Sequence, residues 1–129
     1  MALSPCPCGG STYADCCQPL HDGLKQAPHA EALMRSRYSA FVLGLEDYLR
    51  KTWHPSTCPS DAIVSDEPTQ WLELRVKNFS PASDGLKATV EFIAIYKVNG
   101  KAHRLHEISS FVFENNQWFY LDGVFPEIK

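Results

Sequence analysis

Residues 87–124 read KATVEFIAIYKVNGKAHRLHEISSFVFENNQWFYLDGV, three apolar-rich runs separated by Asn99-Gly100 and Asn115-Asn116. Asparagine and glycine tolerate the left-handed backbone that a two-residue hairpin turn requires, so each pair marks a reversal of the chain. The runs between them alternate with period two, which predicts strands over Lys87–Val98, Ala102–Glu114 and Gln117–Val124. A tight turn at Asn99-Gly100 sets Val98 against Lys101, Phe92 against Glu107 and Val90 against Ser109. The same count across Asn115-Asn116 sets Glu114 against Gln117, Phe113 against Trp118, Phe111 against Tyr120 and Ser109 against Asp122.

One face of this sheet then carries Val90, Phe92, Ala94 and Tyr96, flanked by Leu105, Glu107, Ser109, Phe111 and Phe113, with Trp118, Tyr120 and Asp122 beyond. Such an apolar, aromatic face needs a cover. The opposite face mixes Ile93, Ile95, Ile108, Val112, Phe119 and Leu121 with Lys97, Arg104, His106 and Glu114. That is too apolar for plain solvent exposure, and partial cover or a dimer contact is expected there.

The cover comes from upstream. Leu33, Met34, Tyr38, Phe41 and Val42 recur at helical spacing between Ala30 and Leu43, with Pro28 just ahead and Gly44 behind. A second short helix is expected through Leu45, Tyr48, Leu49 and Trp53, stopping before Pro55. Ser56 to Pro68 reads as a loop with a short helical piece, and Trp71 to Lys77 as one further strand. Helices followed by an antiparallel sheet make an α+β domain.

Glu107, Ser109 and Asp122 interrupt the covered face, and buried carboxylates demand partners. Arg37 sits on the apolar stripe of the helix between Met34 and Phe41, while Arg35 lies on the outer side, so an Arg37–carboxylate ion pair is expected. Two readings follow. The cluster is either an ion pair fixing helix against sheet or the polar floor of a pocket suited to a small organic ligand or to acid–base chemistry. The pocket candidates are Arg37, Tyr38, Trp53, His54, Glu107, Ser109, Trp118, Tyr120 and Asp122. No catalytic residue is assigned among them.

Four of the five cysteines, Cys6, Cys8, Cys16 and Cys17, fall within twelve residues, as C-P-C, a loop, then C-C. A metal ion deprotonates thiols and gathers four of them in a tetrahedron, so the count fits a closed structural zinc site. Pro7 stiffens the first pair, Gly9 and Gly10 permit the turn that follows, and a turn at Cys16-Cys17 brings adjacent sulfurs to one ion. Reduced surface thiols and a redox dithiol are the other readings of the cluster. The segment is short and polar, so zinc would supply most of its folding free energy. The division expected is a zinc-binding segment at 1–27 and an α+β domain at 28–129.

The 129 residues, 44% of them hydrophobic, suit one core with an appendage. A net charge of -3 with interspersed signs leaves no basic stripe for nucleic acid. The first residues lack a signal sequence, no stretch reaches the ~20 apolar residues of a membrane span, and the cytoplasm is the expected compartment.

With these residues quoted, a family comes into view. C-P-C-G-G-S-T-Y-A-D-C-C resembles the SEC-C zinc motif, and L-M-R-S-R-Y-S-A-F, Y-L-R-K-T-W-H-P, H-E-I-S-S-F and W-F-Y-L-D-G resemble the YchJ family along essentially the whole chain. The resemblance implies an α+β cone like that of nuclear transport factor 2, shared with ketosteroid isomerase and scytalone dehydratase, and puts Cys6, Cys8, Cys16 and Cys17 at the zinc-ligand positions. It implies no secure activity. The loop between the cysteine pairs is one residue shorter than the commonest SEC-C form and lacks the lysines by which the motif of SecA meets its chaperone. The second, C-terminal cysteine cluster of many YchJ proteins is not present before Ile128-Lys129. The function expected is that of a non-enzymatic zinc-binding accessory protein, monomer or homodimer, with a protein partner at the knuckle and a small ligand in the cone. The alternative is a small isomerase- or dehydratase-like enzyme with Asp122 or Glu107 as base and Tyr38 or Tyr120 polarising the substrate.

Overall fold

In the computed structural model, which describes residues 5–10, 12–64 and 69–125, the strands β1 (Thr69–Pro81), β2 (Lys87–Val98), β3 (Lys101–Glu114) and β4 (Gln117–Val124) pair antiparallel in chain order. Both hairpin turns take the expected left-handed backbone, with φ of 53° and 79° at Asn99 and Gly100 and 52° and 64° at Asn115 and Asn116. The β2–β3 register follows from that turn: Val98 pairs with Lys101, Phe92 with Glu107 and Val90 with Ser109.

The β3–β4 register holds only part of the way. Glu114 pairs with Gln117 and Phe111 with Tyr120, but Ser110 then pairs with Asp122 and Ser109 with Gly123. Leu121 is the extra residue of a β-bulge, which turns every later side chain of β4 to the opposite face. Asp122 therefore leaves the covered face and is exposed, contrary to expectation. β1 is longer than predicted and carries two further irregularities, between Trp71 and Glu73 and between Val76 and Asn78, where bulging bends an edge strand.

The helical part comprises a 3₁₀ turn (Tyr13–Asp15), α1 (Gln18–His21), α2 (Ala30–Leu43) and α3 (Glu46–Lys51). The His29 imidazole caps α2 by accepting from the Ala32 N–H at 3.1 Å, and Gly44 closes it with φ of 72°. α3 stops at Lys51, short of Trp53, because the chain extends along the free edge of β4. The Tyr120 N–H donates to the Thr52 carbonyl at 2.8 Å and the His54 N–H to the Tyr120 carbonyl at 2.7 Å. These bonds satisfy an edge that would otherwise be open.

No helix forms over 56–64; residues 65–68 of that predicted loop lie outside the described residues. The segment is instead tied to α3. Arg50 donates to the carbonyls of Pro59 and Asp61, and the Glu46 carboxylate accepts from the N–H groups of Ile63 and Val64.

α2 packs on the sheet face that carries Val90, Phe92, Ala94 and Phe111, all buried. Full burial of a side chain such as Phe111 or Val90 contributes about 1.5–3 kcal/mol. Ile93 and Phe119 on the opposite face are buried too, and the His54 ring meets Phe119 edge-on at 5.8 Å. Among the described residues no helix is long and apolar enough to cross a membrane.

Candidate metal centre and the cavity behind it

The N-terminal knuckle is a tight loop pinned by a bridge between Pro5 and Thr12. The Gly9 N–H donates to the Cys6 carbonyl at 3.0 Å, with Gly9 in the left-handed region at φ of 91°. Gly10 is needed for space: a Cβ there would stand 2.7 Å from Cys16 Sγ. The 3₁₀ turn then delivers Cys16 and Cys17 at the start of α1, which is how adjacent cysteines come to face one point. All four Sγ atoms lie within 4.8 Å of one another, with Cys8–Cys16 at 3.5 Å and Cys16–Cys17 at 3.9 Å. Four thiolates at ~2.3 Å from a central ion are spaced about 3.8 Å apart, so these sulfurs have the dimensions of a tetrahedral metal site.

The protonation chemistry leads the same way. A hydrogen bond from Cys17 draws the Cys8 thiol down to about 4, while burial and the bond to Cys8 push Cys16 up to about 12 and the bond to Cys8 pushes Cys17 up as well. The thiols can thus share one negative charge by themselves. Ionising all four takes a cation at their centre.

Far from hanging loose, the knuckle is seated on α2. Cys6, Cys8 and Cys17 are only 4%, 1% and 2% exposed and belong to the same buried cluster as Leu33, Met34 and Tyr38. The Ser39 hydroxyl donates to Cys17 Sγ at 3.3 Å and lies 3.6 Å from Cys6 Sγ. Arg35 Nη1 donates to the Cys8 carbonyl at 3.0 Å. His21 bridges the two parts: its Nε2 donates to the Ser36 carbonyl at 2.7 Å, which leaves Nδ1 to accept from the Tyr13 hydroxyl at 2.6 Å. Burial holds His21 below its usual pKa, so it is neutral at pH 7. Sequence reasoning missed these supports. Their signal was the run of polar residues, Arg35, Ser36 and Ser39, within an apolar helix.

The other side of α2 lines a cavity of about 320 Å³. Phe41, Trp71, Phe92 and Phe111 wall it, and Glu107, Ser109 and Tyr120 form its polar floor. Glu107 is 8% exposed, and its Oε2 accepts from the Ser109 hydroxyl at 2.7 Å and the Tyr120 hydroxyl at 2.9 Å. Gly123, brought opposite Ser109 by the bulge, makes room for this carboxylate: a Cβ there would lie 2.7 Å from Glu107 Cδ and 2.9 Å from Cγ.

Arg37 is 6% exposed and also lines the cavity, yet the expected ion pair does not form. Its Nη1 donates to the Leu49 carbonyl at 2.8 Å and to Thr52 Oγ1 at 2.7 Å. Its guanidinium lies 4.6 Å from the centre of the Tyr120 ring and 5.2 Å from that of Trp53. Among the described residues no carboxylate oxygen comes within 4.0 Å of it. The carbonyls of the last turn of α3 need donors and sit at the negative end of the helix, so they capture the guanidinium first. Burial draws Arg37 down to about 10, which still leaves it charged at neutral pH, and burial pushes Tyr38 up to about 12. Burial, reinforced by Glu107, also raises Tyr120, so both phenols keep their protons.

Six of the nine pocket candidates therefore meet around the cavity: Arg37, Tyr38, Trp53, Glu107, Ser109 and Tyr120. Three do not. His54 follows Trp53 on an extended segment, where alternate side chains point to opposite sides, and it bonds Glu114 at 3.0 Å and Ser56 at 2.7 Å. Trp118 lies farther along β4 against Phe113 and lines a separate crevice with Leu33 and Lys51. Asp122 is turned away by the Leu121 bulge. Of the walls not predicted as site residues, Phe92 and Leu105 lay on the predicted inner face, whereas Trp71 needed the β1–β2 pairing, for which no short turn supplied a register.

Residues 29–123 match the family described as YchJ, middle NTF2-like domain. The chain belongs to the YchJ family. Among YchJ relatives, the UPF0225 protein of Cupriavidus metallidurans is 54% identical over 126 residues, covering 93% of this chain and 88% of the relative. The UPF0225 protein of Chromobacterium violaceum is 48% identical over 129 residues, covering 96% and 95%. Two solved structures share the fold at 33% identity, and both are of SEC-C motif containing proteins. The solution structure from Rhodopseudomonas palustris has a TM-score of 0.81 and covers 98% of this chain and 100% of its own. The crystal structure from Psychrobacter arcticus has a TM-score of 0.78 and covers 100% and 85%. The YchJ assignment, the nuclear transport factor 2-like α+β domain and the cysteine cluster of the SEC-C kind thus agree with the reading of the sequence.

Proposed function

We propose that this YchJ protein is a zinc-binding accessory protein in which four thiolates order the knuckle and seat it on α2, while the cone on the far side of that helix receives a small molecule. The observation that carries this reading is the double use of α2. Ser39 reaches the sulfurs from one side, and Arg37 and Tyr38 line the cavity from the other. Zinc suits the donor set, because sulfurs within 4.8 Å of one another surround a single ion and an all-thiolate tetrahedron is closed to substrate. Its role is therefore structural. The exposed rim of the knuckle, Gly9, Gly10, Ala14 and Asp15, is the surface we assign to a protein partner, in a compartment reducing enough to keep thiols free.

Metal analysis and native mass measurement of the purified protein test the zinc site. One zinc per chain is expected, lost in Cys8→Ser and Cys17→Ser. A folded, reduced, metal-free protein whose Gly9, Gly10 and Cys16 amides are already dispersed overturns it. A partner pull-down with Ala14→Arg and Asp15→Arg tests the rim; partners retained unchanged place the docking surface elsewhere.

A second reading, an isomerase- or dehydratase-like enzyme, is favoured by a carboxylate paired to a phenol within aromatic walls. It keeps Glu107 as base and Tyr38 as the polarising group, without Asp122. Deuterium exchange into a ligand bound in the cone, abolished by Glu107→Gln, would select it; a bound ketone that exchanges no faster than it does free in buffer rejects it.

A further inference from the structure

The cavity floor holds two buried charges that do not satisfy each other. Glu107 Oε2 has two donors, but Oε1 has none among the described residues. Among the described residues Arg37 bonds only through Nη1, and Nε and Nη2 have no acceptor there. Neither side is sealed against its unpaired atoms, since His106 Nδ1 is the one fully enclosed polar side-chain atom without a partner among the described residues. Both residues are more than nine-tenths buried and line the same cavity.

Tyr120 fixes the geometry between them. Its hydroxyl donates to Glu107, and its ring lies under the Arg37 guanidinium at 4.6 Å. The two charges are thus anchored to opposite parts of one side chain, more than 4.0 Å apart. A group that accepts from Arg37 and donates to Glu107 would satisfy both. The charges cancel, so a bound anion would be opposed by Glu107 and a bound cation by Arg37, each at the cost of desolvation. Above the floor, the walls are aromatic and aliphatic, and the volume sits at the low end of the ~300–1,000 Å³ typical of ligand sites.

We propose that the cone binds a small, net-neutral molecule with an apolar ring and a head carrying an acceptor and a donor side by side, of the carboxamide or lactam class. The inference rests on the reading of the cone as a ligand site. Phenylacetamide is the probe, with phenylacetate and phenethylamine as its anionic and cationic counterparts of similar size. Titrations followed by amide NMR of the zinc-loaded protein are expected to shift Glu107, Ser109 and Tyr120, with phenylacetamide bound about tenfold more tightly than either charged analogue.

Glu107→Gln leaves Arg37 unopposed, and the preference is expected to move to phenylacetate. Arg37→Met moves it to phenethylamine; should that variant unfold, the near-isosteric Glu107→Gln still decides. A charged analogue bound by wild type as tightly as the amide, or a ranking unchanged in Glu107→Gln, overturns the ligand class. If neither these probes nor a diverse fragment set shifts a cavity resonance, the ligand-site reading itself falls; if other fragments bind there without the amide preference, only the class does.

Discussion

Replacing Gly123 by alanine drives a methyl group into the Glu107 carboxylate. The added Cβ would stand 2.7 Å from Cδ and 2.9 Å from Cγ, whereas carbon atoms in contact rest at about 3.5–4.0 Å. The carboxylate must retreat by about 1 Å, which breaks its bonds to Ser109 and Tyr120 or pulls β4 off β3. Overpacking of this kind costs about 1–3 kcal/mol, and weakening hydrogen bonds to a charged group adds about 1–2 kcal/mol, so a loss of about 2–5 kcal/mol is expected. Urea unfolding followed by tryptophan fluorescence measures it. The double variant identifies the cause. In a Glu107→Ala background the obstacle is gone, and Gly123→Ala should cost less than about 0.5 kcal/mol, a coupling of at least about 1.5 kcal/mol. An equal penalty in both backgrounds would mean that the bulged backbone, and not the carboxylate, resists the methyl group, and the reasoning would fail.

Gly10→Ala places a Cβ against Cys16 Sγ and is expected to weaken zinc binding by about tenfold or more, read by competition with a chromophoric chelator; unchanged affinity would show that the knuckle has slack. Ser39→Ala deletes a buried hydrogen bond to Cys17 and should destabilise the zinc-loaded protein by about 1–2 kcal/mol, with a change under about 0.3 kcal/mol refuting the seat on α2. Chelating the metal should lower the melting temperature of the whole domain, because knuckle and α2 share one buried cluster; loss of the knuckle amides with an unshifted main transition would contradict that. His21 has a folded pKa below its unfolded value, so its contribution is fully present above about pH 6.5 and is lost as pH falls toward the folded pKa. Stability of His21→Gln should accordingly fall less steeply than wild type between pH 7 and 5, and parallel slopes would exclude the role of the imidazole.

Much of the architecture is legible in short stretches of chain. Asn99-Gly100 sets the β2–β3 register because both residues accept positive φ, and a two-residue turn leaves no freedom in how the strands align. The helical spacing of Leu33, Met34, Tyr38 and Phe41 marks α2 for the same reason: the period is a property of neighbouring residues. The cysteine cluster is legible because four thiols within twelve residues have few other uses than one metal ion.

The site needed the assembled molecule. Leu121 bulges where β4 meets the edge segment Thr52–His54, and nothing in its neighbours announces the slip that exchanges Asp122 for Gly123 opposite Ser109. Arg37 is claimed by Leu49 and Thr52, residues twelve and fifteen positions away, since the carbonyls at the end of α3 compete for it more effectively than a carboxylate across the cavity. The seating of the knuckle on Ser36 and Ser39 likewise depends on contacts across the fold. Backbone preferences act over a few residues and are written in the local order of the chain. Which buried polar group finds which partner is a competition settled only when distant segments meet in a medium without water to arbitrate.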